Sequence, residues 1–219
     1  MGNIKAVIWD LDGTLLDTLD DLTNSLNAAL RENGCSEHPR EAVRQMVGNG
    51  TQRLICRALP GGQDDPHYQA VHDAFLREYA VHNKDCTKPY DGILEVMDRL
   101  SAAGIRHAVV SNKIDFAVRE LCREYFGERV CVSVGDDPSR ARKPAPDSVF
   151  AALEAMNVPC GHAVYVGDSN VDIETAGNAG IPGIGVLWGF RDRANLEAAG
   201  AKYVVSTPDE LGNVILSLE

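Results

Sequence analysis

The sequence predicts an α/β protein with a Rossmann-like, mostly parallel sheet as its core and an all-helical cap domain inserted into that core. Short runs rich in β-branched residues alternate with helical patterns along most of the chain. Such alternation is typical of βαβ crossovers, which build parallel sheets with helices on both faces. One long stretch directly after the first run contains no strand pattern. These two observations together predict the core and its insertion.

The predicted strands are six short apolar runs. They cover residues 4–9, 105–110, 130–134, 163–166, 181–186 and 201–205. Between most of them, apolar residues recur three and four positions apart, as on one face of a helix. The three clearest predicted faces are Ile93, Val96, Met97 and Leu100; Phe116, Val118, Leu121 and Cys122; and Val149, Phe150, Leu153 and Met156.

The insertion has helical spacing throughout. Its first helix is predicted from Leu19, Leu22, Leu26, Ala29 and Leu30. Pro39 is expected to open a second helix, which Gly48-Asn49-Gly50 interrupts and whose next segment Thr51 can cap, and Pro66 to start a third helical pattern. We therefore predict a catalytic core of residues 1–16 and 84–219, and a helical cap of residues 17–83.

Composition narrows the classes of partner. The chain has 219 residues, a formal net charge of −11 and a pI near 5.0. So acidic a surface repels nucleic acids and anionic membranes, and we expect neither as a partner. No signal peptide or membrane-length apolar run is apparent, and the six cysteines follow no metal-binding or disulfide pattern. We therefore expect a cytoplasmic protein with reduced thiols.

Short polar residues follow three of the predicted strands. Asp10 and Asp12 come after the first, Ser111 and Asn112 after the second, and Asp168 after the run at residues 163–166. Because ligands bind outside the carboxyl ends of parallel strands, these side chains are expected to converge. Clustered carboxylates repel one another unless a cation lies among them, and oxygen ligands suit Mg²⁺.

This pattern has a chemical interpretation. Asp10 is a credible nucleophile, and Asp12 can serve as general acid and then as base. Lys143, in a proline-rich loop, supplies a fixed positive charge that helps an acidic protein to bind phosphate. Taken singly, each residue has an ordinary explanation: Ser111–Asn112 could cap a helix and Asp172 could be first-turn helix charge. The ordered combination favours a phosphate site.

The ordered set resembles the four motifs of the haloacid dehalogenase-like superfamily. The matching segments are Asp10-Leu11-Asp12-Gly13-Thr14-Leu15, Ser111-Asn112, Lys143 and Gly167-Asp168-Ser169-Asn170-Val171-Asp172. The resemblance implies that Asp10 is nucleophile and metal ligand, and that Asp12 is acid/base and binds Mg²⁺ through its carbonyl. It further implies that Asp168 completes the protein ligands, that Asp172 supports the site, and that Thr14, Ser111, Asn112 and Lys143 hold the phosphoryl group.

The insertion is similar to the cap of phosphoglycolate phosphatases around Gly48-Asn49-Gly50. We consider these residues and Arg53 as candidates for substrate specificity, with Arg44 and Arg57 as further cations that could meet a substrate carboxylate. A plain turn between two helices explains the same glycines equally well. The resemblance implies a phosphatase acting on a small phosphorylated metabolite, with 2-phosphoglycolate as one candidate.

Two other functions remain open at this point. A phosphomutase similar to β-phosphoglucomutase would pass the phosphoryl group from Asp10 to a sugar. A non-catalytic phosphate-sensing module, like a receiver domain, would also use acidic strand ends, a hydroxyl and a lysine. The chain is expected to act as a monomer or a homodimer.

Overall fold

The strands are short and mostly parallel. In the structure, a computed structural model that describes residues 4–218, they are β1 (Ala6–Trp9), β2 (Leu16–Asp17), β3 (Lys88–Pro89), β4 (Arg106–Ile114), β5 (Val130–Asp136), β6 (Ala163–Gly167), β7 (Gly183–Val186) and β8 (Tyr203–Val205). Six of them form one sheet in the order β5-β4-β1-β6-β7-β8, with every neighbouring pair parallel. The strand order reverses between β1 and β6, which is where ligands bind in such sheets. The predicted fold class is confirmed.

Besides short 3-10 helices at Gly62–Asp64, Gly127–Arg129 and Cys160–His162, the described residues form α-helices. They are α1 (Leu19–Glu32), α2 (Arg40–Met46), α3 (Thr51–Ala58), α4 (Tyr68–His82), α5 (Ile93–Ala102), α6 (Asp115–Tyr125), α7 (Asp147–Ala155), α8 (Asn170–Asn178), α9 (Arg193–Ala198) and α10 (Pro208–Ser217). None of the helices among the described residues is long and apolar enough to cross a membrane.

Both faces of the sheet are covered by apolar side chains. Within β1, Val7 and Trp9 pack with residues of α5, α6 and α10, whereas Ala6 and Ile8 pack with residues of α7 and α8. All four residues are buried, because successive side chains of a strand point to opposite faces and helices cover both. This packing places the carboxyl end of β1 in the middle of the sheet, between β4 and β6.

The described chain separates into two compact units. One comprises residues 4–16 and 89–218 and contains the six-stranded sheet; the other is Asp17–Lys88 and contains α1 to α4. In the helical unit, the apolar residues that predicted α1 are all buried. The chain leaves this unit after Lys88, five residues beyond the end that the sequence suggested.

Several local predictions were wrong. The strand predicted to end at residue 110 continues to Ile114, so Ser111 and Asn112 extend β4 instead of following it. Phe116 and Phe150 do not join the buried faces of α6 and α7 but are 55% and 44% exposed. Around the helix axis, Phe116 lies about 100° and Phe150 about 60° from the nearest buried position, so each falls outside the face that the neighbouring layer covers. Thr51 is the first residue of α3 and not its cap, since Gly50 occupies the cap position.

Candidate active site

The turn after β1 brings its first aspartate to the centre of the sheet edge. The backbone N–H of Asp10 donates to the carbonyl of Val166 in β6 at 2.9 Å, which continues the parallel pairing past the end of β1. Gly13 then adopts a φ of 86°, where glycine is favoured. A Cβ at Gly13 would lie 2.6 Å from Asp168 Oδ2. Only a residue without a side chain lets this turn approach Asp168 so closely.

Lys143 connects the carboxylates at the end of the sheet. Its Nζ lies 2.8 Å from Asp10 Oδ1 and 2.7 Å from Asp172 Oδ1. It also donates to the Tyr165 hydroxyl at 3.0 Å and to the carbonyl of Val110 at 3.1 Å. The side chain of Lys143 is buried. A buried ammonium requires such partners, because burial opposes its charge.

Asp172 is held at both of its oxygens. Oδ2 accepts from the backbone N–H of Ser169 at 3.1 Å and from its hydroxyl at 2.6 Å, closing a capping box at the start of α8. Oδ1 accepts from Lys143 and from the hydroxyl of Tyr165. Asp172 therefore anchors the start of α8 and orients Lys143 towards Asp10.

The carboxyl group of Asp168 accepts hydrogen bonds from two neutral groups. Its Oδ1 accepts from the Thr14 hydroxyl at 3.2 Å, and its Oδ2 accepts from the backbone N–H of Phe190 at 2.6 Å. Burial, reinforced by the charge of Asp172, raises the pKa of Asp168 to about 7. The structure therefore places a carboxyl group here whose charge the protein alone does little to stabilise.

The carboxylates of Asp10, Asp168 and Asp172 are buried and each contributes an oxygen within 4.8 Å of the others. Burial and the charge of Asp172 also raise the pKa of Asp10 well above its ordinary value. Burial opposes the charge of Lys143, but Asp10 and Asp172 outweigh it and hold its pKa high. The cluster thus holds three carboxyl groups and one ammonium, which contacts Asp10 and Asp172. A hard divalent cation with oxygen ligands fits this excess of negative charge.

The carboxylate of Asp12 forms an ion pair with a second lysine, Lys113. Lys113 Nζ lies 2.7 Å from Asp12 Oδ1, and both side chains are largely buried, with 6% and 17% exposed. Sequence reasoning did not identify Lys113 as a site residue, although it directly follows Ser111 and Asn112. It also missed Tyr165, whose position inside an apolar strand gave no sign of a polar role.

Ser111 and Asn112, which are neighbours in β4, make different hydrogen bonds. The Ser111 hydroxyl oxygen accepts from the backbone N–H of Lys113 at 3.2 Å, which directs its own hydrogen elsewhere. The side-chain amide of Asn112 makes two hydrogen bonds to the backbone of Lys143. Its Nδ2 donates to the Lys143 carbonyl at 3.2 Å, and its Oδ1 accepts from the Lys143 N–H at 3.0 Å. Asn112 therefore fixes the loop that carries Lys143.

The cap candidates lie in the helical unit. Gly48 and Gly50 have positive φ values of 109° and 80°, and the Oδ1 of Asn49 accepts from Arg57 at 2.8 Å. Arg57 also donates to the carbonyl of Met46 at 2.7 Å, so this arginine holds the turn together. Arg53 is exposed on α3. Their role in specificity stays a prediction.

A family model for haloacid dehalogenase-like hydrolases matches residues 7–186. The chain belongs to this family. A phosphoglycolate phosphatase of Rhodospirillum rubrum is 35% identical over 217 residues, which cover 95% of this chain and 90% of that protein. An N-acetylmuramic acid 6-phosphate phosphatase of Pseudomonas aeruginosa is 31% identical over 214 residues, covering 97% and 95% of the two chains.

Solved structures agree with these relatives. A crystal structure of a candidate phosphoglycolate phosphatase from Lactobacillus delbrueckii superposes with a TM-score of 0.93 and 34% identity, covering 99% of this chain and all of the other. This haloacid dehalogenase-like hydrolase is therefore an enzyme, and its relatives place it among the phosphatases of the family.

Proposed function

We propose that this enzyme hydrolyses a small phosphate monoester in two steps, through a phosphoryl group carried by Asp10, with the help of Mg²⁺. The observation that carries the proposal is the position of Asp10, beside Asp168 and Asp172 and within hydrogen-bond distance of Lys143. A nucleophilic carboxylate needs a cationic, water-poor environment to meet a phosphate dianion, and Lys143 supplies part of that environment.

In the first step, an oxygen of Asp10 attacks phosphorus, and the bond between phosphorus and the ester oxygen breaks. The carboxyl proton of Asp12 passes to that oxygen, which leaves as an alcohol. In the second step, a water oxygen attacks the phosphorus, the bond to Asp10 breaks, and a water proton returns to Asp12. One molecule of water is consumed, and Asp10 and Asp12 are regenerated.

Four residues are proposed to hold the phosphoryl group. The Ser111 hydroxyl can donate to it, since its oxygen already accepts from the backbone of Lys113. Lys143 supplies charge, and Asn112 acts by fixing the Lys143 loop and through its own backbone N–H. Thr14 is proposed to act through its hydroxyl, which donates to Asp168 and so holds that carboxyl group in place.

The magnesium site is proposed to comprise the side chains of Asp10 and Asp168 and the backbone carbonyl of Asp12. Asp172 is proposed to support this site by holding Lys143 beside Asp10 and by fixing the start of α8. When bound, the ion neutralises the carboxylates and polarises the phosphoryl oxygens. The protein's own contribution is to hold Asp10 against Lys143 in a buried position.

The relatives suggest the substrate class. One acts on phosphoglycolate by name and another on N-acetylmuramic acid 6-phosphate, and both names describe phosphate esters of small molecules with a carboxylate. We propose 2-phosphoglycolate as the first candidate. We also propose that the enzyme is cytoplasmic and works as a monomer or homodimer; the six cysteines, all among the described residues, are free thiols, as expected in a reducing compartment.

A panel of phosphate esters tests this function. We expect steady release of phosphate from 2-phosphoglycolate in the presence of Mg²⁺, without any second acceptor. The panel includes N-acetylmuramic acid 6-phosphate, ethyl phosphate and β-glucose 1-phosphate, and the readout is kcat/KM for each ester. Conversion of glucose 1-phosphate to its 6-phosphate without release of phosphate would identify a mutase, and binding without turnover of any ester would favour a sensing module.

Removal of magnesium should stop turnover reversibly, because the carboxylates then repel one another and the phosphate. Mg²⁺ at about 100 times its Kd should also raise the free energy of unfolding by about 2.7 kcal/mol, since it binds only the folded site. Thermal melts with added chelator and with added Mg²⁺ measure this effect without substrate. Asp168→Asn serves as the comparison and should lose most of the shift. Full activity in chelator would contradict the metal assignment.

A further inference from the structure

Lys113 is a buried cation in the candidate active site that the proposed reaction does not use. Its side chain is only 6% exposed, and its Nζ lies 2.7 Å from Asp12 Oδ1. The backbone N–H of Lys113 donates to the Ser111 hydroxyl oxygen at 3.2 Å, so Lys113 belongs to the same short segment as a residue proposed to hold the phosphoryl group. Burying a lysine is costly, and a position beside Asp12 therefore calls for an explanation.

We infer that Lys113 binds a second anionic group of the substrate, a carboxylate on the carbon that carries the ester oxygen, and so selects phosphate esters of α-hydroxy acids. This inference rests on the proposed phosphatase reaction at Asp10 and names the class of its leaving group. Lys113 is then a specificity-determining residue on the side of the leaving alcohol.

The division of charges within the site supports this assignment. Lys143 contacts Asp172 and Asp10, the proposed nucleophile, whereas Lys113 contacts Asp12, the proposed acid for the leaving oxygen. A leaving group with its own negative charge would be repelled by these aspartates. Among the hydrogen bonds and ion pairs that the structure gives for Asp12, Lys113 is the cationic partner. Lys113 is therefore placed to offset that repulsion where the leaving group lies.

The distances are compatible with a short substrate. Asp12 must come within hydrogen-bond distance of the ester oxygen to protonate it, and this places Lys113 Nζ within about 6 Å of that oxygen. A carboxylate separated from the ester oxygen by one carbon begins two covalent bonds away, at about 2.5 Å. It can then lie between the two groups and accept from Lys113. An anionic group several atoms further along the leaving group would lie too far from the ester oxygen to occupy this position beside Lys113.

Two esters with leaving groups of equal carbon number test the inference. 2-Phosphoglycolate and ethyl phosphate differ by a carboxylate in place of a methyl group, so their kcat/KM ratio measures recognition of that anion. We expect the wild-type enzyme to prefer 2-phosphoglycolate, and Lys113→Met to lower this preference by about 10- to 100-fold. Any loss that Lys113→Met causes through Asp12 affects both esters and cancels in the ratio. Lys202→Met, an exposed lysine before β8, is the matched control and should leave the ratio unchanged.

Binding gives a second measurement that does not need turnover. Calorimetry with Asp10→Asn and Mg²⁺ compares the affinities for the two esters, and the double variant with Lys113→Met should lose the difference. If no ester is turned over but Asp10→Asn binds 2-phosphoglycolate selectively through Lys113, the proposed phosphatase function fails while this inference stands. Lys113→Gln replaces Lys113→Met if melting curves show that the methionine variant does not fold.

Three results would overturn the inference. The first is a wild-type enzyme that does not distinguish the two esters in turnover or in binding. The second is an unchanged ratio in Lys113→Met, which would leave Lys113 as a residue that only positions Asp12. The third is a ratio that falls in Arg53→Met and not in Lys113→Met, which would assign the anion to the cap arginine.

Discussion

Replacement of Asp10 by asparagine is expected to reduce turnover by about 10⁴-fold or more, because an amide cannot form the acyl phosphate that the proposed reaction requires. The shape of the side chain is retained, and Lys143 keeps its contacts with Asp172, Tyr165 and Val110. The melting temperature should therefore stay the same or rise, since one of three mutually repelling buried carboxylates has been removed.

Phosphate release and thermal melts measure the two halves of this prediction. Mass spectrometry of acid-quenched enzyme adds a direct test, because the wild type should carry a phosphoryl group on the peptide containing Asp10 and the variant should not. Asp73→Asn, an exposed aspartate of α4, is the matched control and should behave as wild type. Activity close to wild type in Asp10→Asn would show that another group attacks the phosphorus.

Lys143→Met should have the largest effect on stability as well as a strong effect on catalysis. Its ammonium is the shared partner of Asp10 and Asp172, so the substitution leaves two buried carboxylates without their cation. Breaking a buried ion pair in this way costs about 3–5 kcal/mol of unfolding free energy. We expect kcat/KM to fall by about 10³-fold, since the variant loses both the group that orients the proposed nucleophile and a proposed phosphate-binding charge.

Chemical denaturation without Mg²⁺ measures the stability loss, and added Mg²⁺ should recover part of it by restoring positive charge. The double variant Lys143→Met with Asp172→Asn should be more stable than Lys143→Met alone but no more active, because it removes an unpaired charge without restoring a cation. Lys202→Met controls for the loss of a lysine at an exposed position. An unchanged free energy of unfolding in Lys143→Met would mean that this buried cluster contributes little to the fold.

The residues at the carboxyl ends of the strands could be predicted from the sequence, because each of them directly follows a recognisable apolar run. Asp10 and Asp12 follow an apolar run, and Asp168 follows another, so the parallel topology brings Asp10 and Asp168 to one edge without any knowledge of side-chain packing. The helical insertion was equally visible, since its apolar residues keep a period near 3.6 and no alternating run interrupts them. Helical periodicity wrongly predicted that Phe116 and Phe150 are buried, because the spacing of apolar residues does not determine how much of a helix the neighbouring sheet covers.

The partners of those residues could not be obtained in the same way. The contacts of Lys143 with Asp10, of Lys113 with Asp12 and of Asn112 with the Lys143 backbone join positions 133, 101 and 31 residues apart. The residue types alone allow many such pairings, and the choice among them follows from how β1, β4 and β6 align in the sheet. Residue chemistry and spacing thus specify which groups reach the sheet edge, whereas packing in three dimensions assigns each carboxylate its cation. Electrostatic interactions between charges depend on distances of a few ångströms, and the chain sets those distances only once it has folded.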